Sequence, residues 1–241
     1  MKIILSFILT FMMIACISCV SIGSNAVHGQ GEMKDSSFEV SNYTKVNIDG
    51  GCEVIYSNKS SNELKVSMQD NILKEFNESV SSDTLNIKWN KSIITDTSSI
   101  PKIYISNPNL DTLTINGAVK ISEPDVINVD TFTLNVEGAC DLSISLSVKN
   151  FNTKVSGAGK MSLSGSAENA TMTIDGIGEI KASGLETKVS SISINGAGSA
   201  EIYCTDQLNA TISGAGSISY KGDPNVNPSI EGAGSVKKMS E

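Results

Sequence analysis

Ile192-Ser193-Ile194-Asn195-Gly196-Ala197-Gly198-Ser199-Ala200 decides how this chain is read. Apolar and polar residues alternate up to a glycine, a short Gly-Ala-Gly phrase follows, and alternation then resumes, which is the signature of strand, corner, strand. The phrase returns along the chain. Its first glycines are Gly117, Gly138, Gly157, Gly176, Gly196, Gly214 and Gly232, spaced 21, 19, 19, 20, 18 and 18 residues apart, with an earlier copy at Gly50-Gly51. Two residues before that glycine stands Ile or Val, directly before it a polar residue, and four after it an apolar one.

A unit of about 19 residues is too short for a strand-helix-strand module, which needs roughly 30. An all-β fold is therefore expected, a single-stranded right-handed parallel β-helix with about 18 to 21 residues per coil, in which equivalent residues stack into columns about 4.8 Å apart. The Ile/Val column and the Ala column are expected to fill the interior, and the glycines to mark corners that only they turn without steric cost. The column three after the first glycine runs Glu53, Lys120, Asp141, Lys160, Glu179. Stacked in order, those charges alternate and like signs never meet.

Gly50 and Gly117 are 67 residues apart, and the interval holds strand-like Glu63–Ser67, Leu85–Trp89 and Lys102–Ile105. Between them Asp70 precedes Ile72, Leu73 and Phe76, the pattern of a short N-capped helix or turn that covers the first coil. Asp223-Pro224-Asn225-Val226-Asn227-Pro228 is expected to interrupt the last coil, and Lys237, Lys238 and Glu241 to give it a charged finish.

Outside the repeat, the amino terminus has the layout of an export signal: Lys2, an apolar run from Ile3 to Ile14, then Ala15-Cys16. About 12 apolar residues make a helix of roughly 18 Å, well short of a roughly 30 Å hydrocarbon layer. The reading is a lipoprotein-type signal over residues 1–15 with lipidation at Cys16, a flexible stalk over 16–37 and a head over 38–238. A later secretory cut near Gly29, or Cys19 as the lipidated residue, are the alternatives. The expected address is the cell envelope, held at the outer membrane by lipid.

Composition excludes several chemistries. All 18 basic residues are lysine, the net charge is −8, and the one histidine is His28. Such a chain lacks the basic footprint of a nucleic-acid binder. A Ser-His-Asp triad has no histidine inside the repeat. Cys52, Cys140 and Cys204 are scattered, which suits buried thiols or one disulfide with one left over, and not a zinc site. No Gly-Lys-Ser/Thr phosphate loop follows the glycines, and the Gly-Gly-x-Gly-x-Asp calcium repeat is missing. No catalytic residue, metal or cofactor is expected.

The order Phe38-Glu39-Val40, Tyr43 to Gly51, Asp70-Asn71-Ile72-Leu73, Leu85-Asn86-Ile87, Lys102-Ile103-Tyr104-Ile105 with Asn107-Pro108-Asn109-Leu110, and then serial Gly-Ala-Gly corners resembles the head GIN domain family of auto-transporter adhesins over residues 38 to 238. That resemblance implies a pectate-lyase-like β-helix on lipid-anchored or secreted envelope proteins of Gram-negative bacteria. It brings no site residues. The expected function is a non-catalytic adhesive surface for a surface glycan or a host matrix protein, tied to the membrane through lipid. The other readings are a structural envelope lipoprotein and a pectinase-like enzyme, whose arginine base and Gly-His-Gly motif this sequence lacks.

Overall fold

The computed structural model describes residues 26–61, 63–122 and 125–240. Among these residues the fold is all-β, with a sheet curled into a half-barrel and one helix of four residues. Its strands are β1 (Val27–His28), β2 (Met33–Glu39), β3 (Lys45–Asp49), β4 (Cys52–Ser57), β5 (Glu63–Gln69), β6 (Phe76–Ser81), β7 (Thr84–Trp89), β8 (Ile93–Ile94), β9 (Lys102–Ser106), β10 (Thr112–Ile121), β11 (Thr131–Lys221), β12 (Asn225–Gly232) and β13 (Ser235–Lys238), with α1 (Asp70–Leu73) after β5.

Pairing follows the repeat. β10 lies parallel to the start of β11 with Gly117 opposite Gly138, Ile115 opposite Val136 and Ile121 opposite Leu142. On its other side the first half of β10 pairs with β3 and the second half with β4, so Gly50 comes to rest against Gly117 although 67 residues separate them. At the far end β12 and β13 run parallel to β11, with Gly214 opposite Gly232.

β11 is a strand of 91 residues, which drawn out straight would reach about 300 Å. It bends back on itself instead. A Cβ placed on Gly157 would strike the carbonyl of Gly138, one on Gly176 that of Gly157, one on Gly196 that of Gly176 and one on Gly214 that of Gly196. Side chains 18 to 20 residues apart touch in the same way: Ser145 and Ser164 hydroxyls at 2.9 Å, Asn169 donating to Asn150 at 3.0 Å, Asn195 to Asp175 at 2.7 Å and Asn227 to Asn209 at 3.1 Å.

The Ile/Val column, Ile115, Val136, Val155, Ile174, Ile194 and Ile212, is buried as expected up to the last copy, where Ile230 is 43% exposed; Leu142, Met161, Ile180, Ala200 and Ile218 beyond the corner are buried with it. Phe132 and Phe151 stack inside with ring centroids 6.2 Å apart. Each such side chain taken from water contributes about 1.5–3 kcal/mol. The Ala column does not join them. Ala118, Ala139, Ala158, Ala197 and Ala215 are exposed, and Ile177 in the same column is 58% exposed. The inward position is the second residue after the corner glycine, where Val119 and Cys140 are buried and later copies carry glycine. Strand alternation gives the reason: Ile194 points in, so Gly198 four residues on shares its face, and Ala197 must point out.

The amino-terminal end departs from the repeat. β7 pairs parallel with β3 but antiparallel with β6, through a tight turn at Ser82 (φ 48°) and Asp83 (φ 61°). β4 pairs with β9, β9 antiparallel with β5, and β5 antiparallel with β2. Met33–Glu39 is thus a strand, so residues 33–37 belong to the folded head and not to a stalk. Helix α1 is capped by Gln69 without a side-chain bond, not by Asp70; Ile72 is buried, but Phe76 sits in β6, against Phe38 and edge-on to Trp89 at 5.6 Å. Trp89 takes the place of a further corner, its ring lying on the face of Gly50. At the other end, Gly222, Asp223 and Pro224 do break the strand path between β11 and β12, but Pro228 does not interrupt the last copy. It lies in β12, paired with Ala210, and β12 is an edge strand, where a missing N–H is tolerated.

Gly196 (φ +136°) and Gly178 separate two requirements, conformation and space. Gly196→Ala adds a Cβ in a backbone region that L residues disfavour and drives it into the carbonyl of Gly176; it should cost about 3 kcal/mol or more. Gly178→Ala meets its nearest atoms at 3.3 Å, a contact that a shift of a few tenths of an ångström relieves, and should melt much closer to the wild type in thermal unfolding followed by circular dichroism. Equal melting of the two variants would contradict the corner assignment.

Candidate functional site

The seven corner glycines singled out from the sequence, Gly117, Gly138, Gly157, Gly176, Gly196, Gly214 and Gly232, all have positive φ, from +114° to +145°. The structure brings them into one column, backbone against backbone, with Gly50 at its start. They are scaffold, and what they present is the sheet on either side. Of the charged column beside them, Glu53, Lys120 and Asp141 follow one another in register, and Glu53 is bridged to Lys120 at 3.9 Å and to Lys102 at 3.7 Å.

Cys52, Cys140 and Cys204 are buried free thiols, so no disulfide forms among them. Burial pushes the Cys52 thiol up to about 12, and that of Cys140 upward as well. A thiol so shifted is neither a nucleophile nor a metal ligand at neutral pH. His28 lies in β1, whose carbonyl accepts from Asn71, away from the repeat. Cys16 lies outside the described residues. Among the described residues no cluster of three or more His, Cys, Asp or Glu is placed to hold a metal ion.

Two surface features went unseen in the sequence. One is a groove of about 500 Å³ across four successive copies of the repeat. Asp130, Lys149, Glu168 and Lys188 line it, 19, 19 and 20 residues apart, so their charges alternate along it. Lys149 bonds Asp130 at 2.9 Å and Lys188 bonds Glu168 at 3.4 Å. The hydrogen bond to Asp130, reinforced by its charge, holds the Lys149 ammonium above its ordinary value. With Glu186 also on its wall, the groove carries three carboxylates against two ammoniums.

The second is the outward face of the strands that lead into the glycine corner. Its files are set by register: Thr84, Lys45, Thr112 and Thr133 lie side by side, as do Asn86, Asn47, Thr114 and Asn135. They continue through Asn152, Thr171, Ser191, Asn209 and Asn227, and through Lys154, Thr173, Ser193, Thr211 and Ser229. All are exposed or half-buried. Amide ladders order the face: Asn47 donates to Asn86 at 3.5 Å, Asn116 to Asn47 at 3.5 Å, Asn209 to Ser191 at 3.2 Å and Asn227 to Asn209 at 3.1 Å. Asp175 at its border is held below the usual carboxylate range by a hydrogen bond from Asn195 and another from Lys154. The ladder bond is therefore strongest at neutral pH and weakens as acid protonates Asp175.

An all-β head of stacked strands, with ordered polar faces and closed thiols, is the class that this geometry defines. The chain belongs to the family described as "Putative auto-transporter adhesin, head GIN domain", whose model matches residues 42–224. A crystal structure described as a putative adhesin from Bacteroides fragilis is similar to it at 25% identity and a TM-score of 0.78, covering 88% of this chain and 100% of that one. One from Parabacteroides merdae, also described as a putative adhesin, has 22% identity and a TM-score of 0.66, covering 90% and 100%. A protein from Parabacteroides distasonis described as a putative lipid binding protein has 24% identity and a TM-score of 0.70, covering 89% and 100%. The curated proteins gave no match. The family and these neighbours are described as adhesins or as lipid-binding, and not as enzymes.

The closed thiols allow a direct check. Iodoacetamide at about pH 8 should leave Cys52 and Cys204 unmodified in the folded protein and label them fully in guanidinium, read by peptide mass spectrometry. Fast native-state labelling of Cys52 would contradict its burial.

Proposed function

We propose that this chain is an exported envelope protein whose head is a non-catalytic adhesive surface. Strands leading to and from the glycine corners form a single-stranded right-handed parallel β-helix of 18 to 21 residues per coil, a rigid rod that presents repeated outward columns to a partner. The ladder of side-chain bonds 18 to 20 residues apart carries this reading, because it fixes polar groups in an ordered outward array that needs no induced rearrangement. Membership in a family described as adhesins points the same way.

The tether in this reading is lipid at Cys16, after removal of residues 1–15, and the location is the outer membrane. Among the described residues no helix is long and apolar enough to cross a membrane. With Lys2 removed the net charge falls from −8 to −9, so attraction to anionic headgroups does not hold the protein there. Partners are a surface glycan or a host matrix protein.

Beads coated with the purified protein should bind saturably to at least one member of a panel of immobilised glycans and matrix proteins. No saturable binding across the panel, with altered envelope integrity in a deletion strain, would favour a purely structural lipoprotein instead. For the tether, Cys16→Ser should abolish incorporation of labelled palmitate and release the protein from the membrane fraction. Persistent labelling would move the anchor to Cys19.

A further inference from the structure

The two files of the corner-leading face, from Thr84 and Asn86 to Asn227 and Ser229, hold eighteen side chains over nine strands. Sixteen are Thr, Ser or Asn and two are Lys45 and Lys154. In a chain with 26 acids, none stands among them. No aromatic stands there either. The acids gather at the border, as Asp49, Glu137, Asp175 and Glu231 in the neighbouring file. Strand geometry sets the array at about 4.8 Å along the stack and about 6.7 Å across it, over a length of about 38 Å.

We propose that this face binds a neutral, extended polysaccharide laid along the stack. The assignment rests on the adhesive reading above and adds the ligand class and the surface that takes it. Charge selects the ligand first. A polyanion would find two lysines in eighteen positions and a border of carboxylates on a negative protein. A polycation would find no carboxylate on the face itself, and an apolar surface would strand the amides and hydroxyls without partners.

A hydroxyl-rich neutral polymer matches what remains. Each asparagine amide has two donors and an acceptor oxygen, and a ladder bond to a neighbour uses only part of that capacity. The unused groups face outward at one spacing per strand, close to the rise of one ring in an extended sugar chain. Short Thr, Ser and Asn side chains held by the sheet and by one another lose little freedom on binding. Without an aromatic platform each contact is weak, so binding sums over many coils and requires a polymer, not a single sugar.

The experiment is co-sedimentation of the full-length protein with regenerated amorphous cellulose and insoluble mannan as neutral probes, polygalacturonate gel as the anionic probe, and collagen-coated beads. The wild type should be retained on at least one neutral polymer, with little change between low salt and about 0.5 M NaCl, where exposed charges are screened. Thr171→Glu/Thr211→Glu on the face should lower the retained fraction at least tenfold, and Ser162→Glu/Ser217→Glu, equal in charge but on the other side of the corner, should not. Thr171→Val/Thr211→Val, which keeps strand shape and removes the hydroxyls, should fall severalfold with an unchanged melting temperature, separating binding from folding. Equal retention of the face and control variants overturns the assignment. Retention on polygalacturonate alone, or on collagen alone, overturns it too and leaves the adhesive reading standing; retention on none of the four surfaces counts against both.

Discussion

Everything in this protein depends on backbone lying against backbone at one corner. From Gly117 to Gly232 each corner glycine occupies space that a Cβ would take from the carbonyl of the copy before it, in a conformation with φ above +110°. Two constraints therefore coincide at each position. One is conformational, the other is spatial, and glycine alone meets both. Because the corner is fixed, the strands on either side are fixed in register, and a one-residue slip would turn the Ile/Val column outward. The interior and the outward files are consequences of the same column.

The column also explains the ends. A stack of parallel strands has no natural first member, since its lower edge would expose unpaired N–H and C=O groups. Here the chain abandons parallel pairing at that edge. β6 folds back on β7 and β5 on β9, and the ring of Trp89 lies over Gly50 where a further glycine would have stacked. These antiparallel strands all lie between the first two corners, which is why Gly50 and Gly117 stand 67 residues apart.

Cross-strand contact is the currency of the outer surface. Charged files alternate in sign, as in Glu53, Lys120 and Asp141 or Asp130, Lys149, Glu168 and Lys188, so neighbours attract and the net charge of −8 does not tear the stack apart. Amide and hydroxyl files bond along their own length. Each pair is exposed and individually weak. Repetition makes them collectively a ruler, with an ordered surface as the outcome.

The sequence alone determined the all-β class, the strand and corner rhythm, the inward Ile/Val column and the corner glycines, because alternation and positive φ are local properties that residue types impose directly. It also located β5, β7 and β9 by their own alternation. Other features were decided only by the tertiary structure. Ala197 and its equivalents point outward because the strand face passes unbroken through the corner, and a small apolar residue gives no local sign of which side it takes. Met33–Glu39 joins the sheet because β5 offers it an edge, and Phe76 leaves the helical pattern because Trp89 and Phe38 lie beside it. The groove and the two acid-free files exist only once residues 18 or more apart are brought to one strand spacing. Sequence supplies the members of such a surface, and only folding makes them neighbours.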